Sequence, residues 1–128
     1  MATRESIIEA AEKYLFHGLV EHDGSKVPLA ENVVRIEQGR NTGTGRAGLA
    51  RALGNEVMDV IRGVRNVRWI VEGDQAVAFY DLDVTTSELP VLICERFRVV
   101  DGLISEIEAV FHPQALSQPH SLSLSDES

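Results

Sequence analysis

The sequence predicts an α+β protein in which helices cover one face of an antiparallel sheet, and three observations predict it. Apolar side chains recur at helical spacing in two segments before residue 62. From Val64 onward the period changes to two, as in half-buried strands. Asp101-Gly102 then separates two apolar-rich runs, and this dipeptide suits a tight hairpin because a type I′ turn needs positive φ at both central residues. Helices followed by hairpin-connected strands give layers of helix on sheet.

The first helix is expected over residues 3 to about 19. Ile7, Ile8, Ala11, Leu15, Gly18 and Leu19 share a face with Tyr14 beside them, and Glu5, Glu9 and Glu12 lie toward its start. Thr3 is placed to cap it, with Ser6 three residues on. The segment HDGSKVPLAENV contains Gly24 and Pro28 and reads as a loop with at most a helical turn. Val33 to Glu37 reads as a short strand, residues 40–45 as a flexible loop, and Arg46 opens a second helix with Leu49, Leu53, Val57, Val60 and Ile61 on its apolar face. Next, Val67, Trp69 and Val71 alternate with Arg68 and Glu72, and Gly73-Asp74 turns the chain into a strand from Gln75 to Val84. Pro90 to Phe111 completes a four-strand antiparallel meander. One domain is expected over residues 1–113, followed by a flexible Ser-rich tail over 114–128.

In the last hairpin a strict register from Asp101-Gly102 would set Phe97 against Glu106 and Glu95 against Glu108. Like charges directly opposite are destabilising. One extra residue near Ser105 or Glu106, a β-bulge, instead gathers Ile93, Glu95, Phe97, Val99, Ile107, Ala109 and Phe111 on one face, and brings Arg96 to Glu108 and Arg98 to Glu106 on the other. The bulged register is therefore expected. It leaves Glu95 as a lone carboxyl on an apolar face, where it must be neutral, paired or functional.

A chain of 128 residues is long enough for one core and too short for two domains. A net charge of −8 with no basic run argues against a nucleic-acid surface. The sequence has no apolar run of about 18 residues and opens MATRESII, so no membrane partner is expected and a cytoplasmic location is. The one cysteine, Cys94, is expected to be a packed thiol in a strand.

Gly43-x-Gly45-x-x-Gly48 has the spacing of a dinucleotide fingerprint. Its preceding strand, however, is not a continuous apolar run, and the later strands are hairpin-connected, so a loop hinged at a pocket mouth is the expectation. The four histidines, at positions 17, 22, 112 and 120, are scattered; neither a metal nor a cofactor is expected. The remaining constellation is Tyr14 on the first helix, Glu37 ending the first strand and Glu95 within the sheet face. Each has an ordinary alternative: a core tyrosine, a solvated strand end, and a structural partner of a buried arginine or hydroxyl. An apolar stretch of the outer sheet face, Val77, Phe79 and Val110, predicts a homodimer unless the tail covers it.

The order helix, PLA-containing loop, strand, helix and four antiparallel strands, with Glu95-Arg96-Phe97-Arg98-Val99-Val100-Asp101-Gly102-Leu103-Ile104, resembles the NTF2-like superfamily, in particular its SnoaL-like and ketosteroid-isomerase-like enzymes. The resemblance covers about residues 3 to 112. It implies a cone-shaped curved sheet, the NTF2-like or cystatin-like α+β barrel, enclosing an apolar pocket. It further implies that Tyr14 and a protonated Glu95 donate to a substrate oxygen, that Glu37 is the base, and that Trp69, Tyr80, Phe97 and Ile107 contact substrate. The activity so implied is cofactor-independent acid–base chemistry on a hydrophobic carbonyl of polyketide, terpenoid or steroid type. The alternatives are an epoxide hydrolase or cyclase using the same carboxylates, and a non-catalytic binding or dimerisation module.

Overall fold

Three two-residue turns lay out the sheet: Gln38-Gly39, Gly73-Asp74 and Asp101-Gly102, each with at least one residue at positive φ (Gln38 51° and Gly39 80°, Gly73 61°, Asp101 54° and Gly102 78°). The computed structural model describes residues 2–112, save the side chains of Glu56 and Val57. The expectation for the tail lies outside the described residues. The strands are β1 (Leu29–Glu37), β2 (Arg40–Thr44), β3 (Ile61–Glu72), β4 (Gln75–Val84), β5 (Val91–Val100) and β6 (Leu103–Phe111), in the spatial order β2-β1-β6-β5-β4-β3.

The expected meander is present as β3-β4-β5-β6. Two features differ from the sequence reading. Residues 40–44, expected as a flexible loop, form an edge strand paired antiparallel to β1. And β1 itself pairs parallel to β6, so the sheet is mixed; it is curved and unclosed.

The bulge falls at Ser105. Val99 pairs with Ile104, Arg98 pairs with Glu106, and the pairs Arg96↔Glu108, Phe97↔Ile107 and Glu95↔Ala109 follow. On the outer face Arg96 reaches Glu106 and Glu108 at 3.1 Å each, and Arg98 lies 3.6 Å from Glu106. Exposed pairs of this kind add little stability singly, so the burial of Phe97, Ile107 and Ala109 on the inner face is what fixes the register.

Helix α1 (Arg4–Lys13) starts with the predicted Thr3–Ser6 capping box and buries Ile7, Ala10 and Ala11. It continues as a π-helical segment, Tyr14–Val20, whose wider winding keeps Tyr14, Leu15, Gly18 and Leu19 buried. Helix α2 (Arg46–Leu53) is shorter than its apolar pattern suggested: it stops at Gly54, residues 56–60 form a 3₁₀ turn, and Ile61 already belongs to β3. The glycine motif serves packing. A Cβ on Gly43 would sit 3.0 Å from the Leu49 side chain of α2, and Gly45 precedes the helix at φ 87°. No helix among the described residues is long and apolar enough to cross a membrane.

Candidate functional site

Register alone brings the two carboxylates together. Glu37 pairs with Ala109, Ala109 with Glu95, and Glu95 with Ala78, so one transverse row of the inner face reads Glu37, Ala109, Glu95, Ala78. Strand spacing puts Glu37 and Glu95 two strands, roughly 10 Å, apart at the backbone. The alanine between them leaves the volume that a larger side chain would fill. Tyr80 pairs with Ile93 and is thus the diagonal neighbour of Glu95, within reach of a long side chain. Tyr14 comes in from the π-helical segment, its ring edge-on to Phe97 with centroids 5.5 Å apart.

The result is a cavity of about 210 Å³, with Tyr14, Glu37, Tyr80 and Glu95 as its polar groups and Leu19, Leu82, Val91, Ile93 and Phe111 among its apolar walls. This is below the range of about 300–1,000 Å³ usual for drug-sized ligands.

Glu95 is 2% exposed, and the Tyr80 hydroxyl donates to its Oε1 at 2.5 Å. Burial pushes its carboxyl up from 4.5 to about 7, the Tyr80 hydrogen bond opposing; the Glu37 carboxylate raises it further and the Arg35 charge lowers it. Near neutral pH it therefore exists both as acid and as carboxylate, where the sequence reading had it protonated throughout. The phenol of Tyr80 is pushed up by burial first and by the Glu95 charge second. Tyr14 is raised by burial and by Glu95, while the charge and hydrogen bond of Arg35 pull it back down.

Arg35 escaped the sequence reading. It is 6% exposed; Nη1 donates to Tyr14 Oη at 3.1 Å, Nε to Thr42 Oγ1 at 3.0 Å and Nη2 to the Thr42 carbonyl at 3.2 Å. Its Nε also lies 3.8 Å from Glu37 Oε2. The signal for it was the alternation Val33, Arg35, Glu37: if Val33 points inward, Arg35 does too.

Four of the residues singled out from sequence, Tyr14, Glu37, Tyr80 and Glu95, meet at this cavity. Phe97 and Ile107 are outside its lining. They occupy the adjacent row, Arg35, Ile107, Phe97, Ala76, where they are fully packed. Trp69 pairs with Ala78 at the far end of the Glu95 row and tilts onto Phe97 with centroids 6.3 Å apart, also away from the cavity lining. Cys94 points to the outer face, and burial raises its thiol above the usual range, so it stays a thiol. Among the described residues no group of three or more His, Cys, Asp and Glu is placed to hold a metal ion.

Comparison with solved structures gives this same architecture. A candidate polyketide cyclase from Xanthomonas campestris pv. campestris superimposes with a TM-score of 0.75 at 20% identity, covering 91% of this chain and 98% of that one. An LEH-like epoxide hydrolase from M. tuberculosis gives 0.70 at 20% identity, covering 97% and 98%. A candidate ketosteroid isomerase from Kribbella flavida gives 0.66 at 22% identity, covering 84% and 78%. NTF2-like proteins of unknown function are also among the matches. The fold is that of the NTF2-like superfamily; identities at this level speak to fold, and one such fold hosts many chemistries. No curated protein matches the sequence. A protein-family model matches residues 1–111.

Proposed function

Since the chain belongs to the family described as Domain of unknown function (DUF8021), its own cavity has to carry the functional reading, and we propose a small acid–base enzyme that moves a proton on a hydrophobic carbonyl compound without a cofactor. The observation that carries this reading is a carboxyl held at about 7 by burial, in the same apolar cavity as a phenol and a second carboxylate.

In this reading Glu37 removes a proton from the carbon next to the carbonyl, and the C–H electron pair moves onto the oxygen as an enolate. Tyr14, and Glu95 in its acid form, donate hydrogen bonds to that oxygen as its charge develops. Where the substrate is a β,γ-unsaturated ketone the enolate is a dienolate, and Glu37 returns the proton to its far (γ) carbon, giving an isomer with no net change in atoms. The apolar walls keep water from competing for the oxygen. Polyketide- or terpenoid-like compounds of one ring suit a cavity of about 210 Å³ better than a tetracyclic steroid. The fold shared with a candidate ketosteroid isomerase supports the reading.

The second reading, epoxide hydrolysis or cyclisation, draws on the fold shared with the LEH-like epoxide hydrolase and the candidate cyclase, and on two carboxylates in one row with a small residue between them. Incubation with monocyclic β,γ-unsaturated ketones separates the two. Appearance of the conjugated ketone by its ultraviolet absorbance, lost in Glu37→Gln, supports the isomerase. No conjugation of any such ketone, together with diol formation from a monocyclic epoxide, assigns the chain to the hydrolases. A folded protein that turns over neither leaves a binding module.

We also propose a homodimer formed through the outer sheet face, where Ile70, Leu92 and Val110 are 61%, 58% and 55% exposed beside Phe79. The Arg96, Glu106 and Glu108 cluster forms its polar rim.

A further inference from the structure

Among the described residues the buried charged side chains are Arg35 and Glu95. Glu95 takes part in the proposed chemistry; Arg35 is not among the residues that line the cavity, yet it is held by three hydrogen bonds. Three of its nitrogens are bonded, two of them to Thr42 on the edge strand β2. Its bond to Tyr14 has a direction. A guanidinium only donates, so Tyr14 Oη is the acceptor and the phenolic proton has to point elsewhere. Among the described residues Tyr14 donates to no protein group, and Tyr14 is one of the residues that line the cavity.

We propose that Arg35 is a positioning residue: by donating into Tyr14 Oη it turns the Tyr14 proton into the cavity and sets a fixed positive charge behind it, which makes the cavity a receptor for enolate- or phenolate-type oxygens on otherwise apolar molecules. This inference rests on the donor role given to Tyr14 above. A preorganised donor backed by a charge in a dry site stabilises negative oxygen without any reorganisation as the charge develops. It offsets the two carboxylates that face the same space, Glu37 with an oxygen 3.8 Å from Arg35 Nε and Glu95 on β5, both of which would otherwise repel an anionic oxygen. Tyr80 is not a substitute donor, because its proton is committed to Glu95. A lysine would substitute for Arg35 only in part, since it keeps the charge but lacks the planar fork that lets one cation bond to Thr42 and Tyr14 together.

Para-nitrophenol is the probe: its phenolate absorbs visibly, and its ionisation when bound to the full-length protein reads the stability of an anionic oxygen in the cavity. Wild-type protein is expected to lower the pH at which the bound probe ionises. Tyr14→Phe should remove most of that effect, and Arg35→Met should weaken phenolate binding about ten- to a hundred-fold relative to the neutral phenol. In the Tyr14→Phe background, Arg35→Met should cost several-fold less than in wild type, what remains being the through-space effect of its charge, because Arg35 acts chiefly through Tyr14. Arg35→Lys runs the same cycle should Arg35→Met fail to fold, and is expected to recover part of the effect. Equal losses from the Arg35 change with and without Tyr14, or a strong Tyr14→Phe effect with a neutral Arg35→Met, overturn the inference and leave the donor role of Tyr14 standing. A bound phenolate untouched by Tyr14→Phe overturns both.

Discussion

Replacing Glu95 by glutamine tests the electrostatics of the site through stability alone. The folded protein holds a proton on Glu95 up to about 7, whereas the unfolded chain releases it near 4.5. Between those values the folded state binds more protons than the unfolded one, so this carboxyl makes stability fall as pH rises through the window and adds no further change above it. At 1.36 kcal/mol per pH unit the gap amounts to about 3 kcal/mol, and with Glu95 fully buried there is no solvent screening to discount. Glu95→Gln removes that penalty and keeps an acceptor for Tyr80, whose bond to the ionised carboxyl is already counted in the net rise. The variant should be about 3 kcal/mol more stable than wild type at pH 8 and equal to it or slightly weaker at pH 4.5. Urea unfolding at both pH values, followed by the fluorescence of the one tryptophan, Trp69, measures the difference. A variant that is several kcal/mol less stable at pH 8 would refute the reasoning, since it would make Glu95 the ionised partner of Arg35, left as a stranded cation.

Gly24→Ala should cost about 2–3 kcal/mol in the same assay, because a Cβ there would lie 2.5 Å from the Ala50 Cα, a backbone atom of α2 that cannot swing aside. Deleting Ser105 should leave a protein that still folds by circular dichroism, since without the bulged residue Glu106 still falls opposite Arg98 and Ile107 opposite Phe97, and Ser105→Ala should stay within about 0.5 kcal/mol of wild type. Ala109→Leu should fold, judged by circular dichroism, yet lose para-nitrophenol binding at least ten-fold by filling the gap between Glu37 and Glu95; retained binding would place the ligand elsewhere. Sedimentation at tens of micromolar should show a dimer that Val110→Lys splits into monomers, and a wild-type monomer counts against the outer-face interface.

What the sequence disclosed was local. The Thr3–Ser6 box, the span of β4, and the bulge at Ser105 each follow from residues within a turn or a hairpin of one another, where alternation and like-charge repulsion leave one workable register. What stayed hidden was non-local. Parallel pairing of β1 with β6 leaves no turn signature, because its partners meet through the whole intervening chain. Strand β2 was hidden for another reason: Arg40-Asn41-Thr42-Gly43-Thr44 is poor in strand formers, and its pairing is set by the Gln38-Gly39 turn and by the backbone of β1. Missing β2 meant missing Thr42, and with it the reason a buried arginine is tolerated at position 35. Within the site, register was enough to bring Glu37 toward Glu95, but the partner of Glu95 depended on a diagonal contact with Tyr80 that alternation alone does not single out.

The parallel pairing also orders the assembly of the site in time. Glu37 and Ala109 are about seventy residues apart in sequence, and the Gln38 amide bonds to the Ala109 carbonyl across the same distance. Loop closure over such a span is slow compared with the hairpins, so β3-β4-β5-β6 can form while β1 and β2 wait. Glu95 and Tyr80 thus meet early, and Tyr14, Arg35 and Glu37 join them only when β1 docks. On a ribosome, that docking has to follow the emergence of β6. Until then the inner face around Glu95 lacks the strand that carries Arg35 and Glu37, so the chain completes its cavity in one late step.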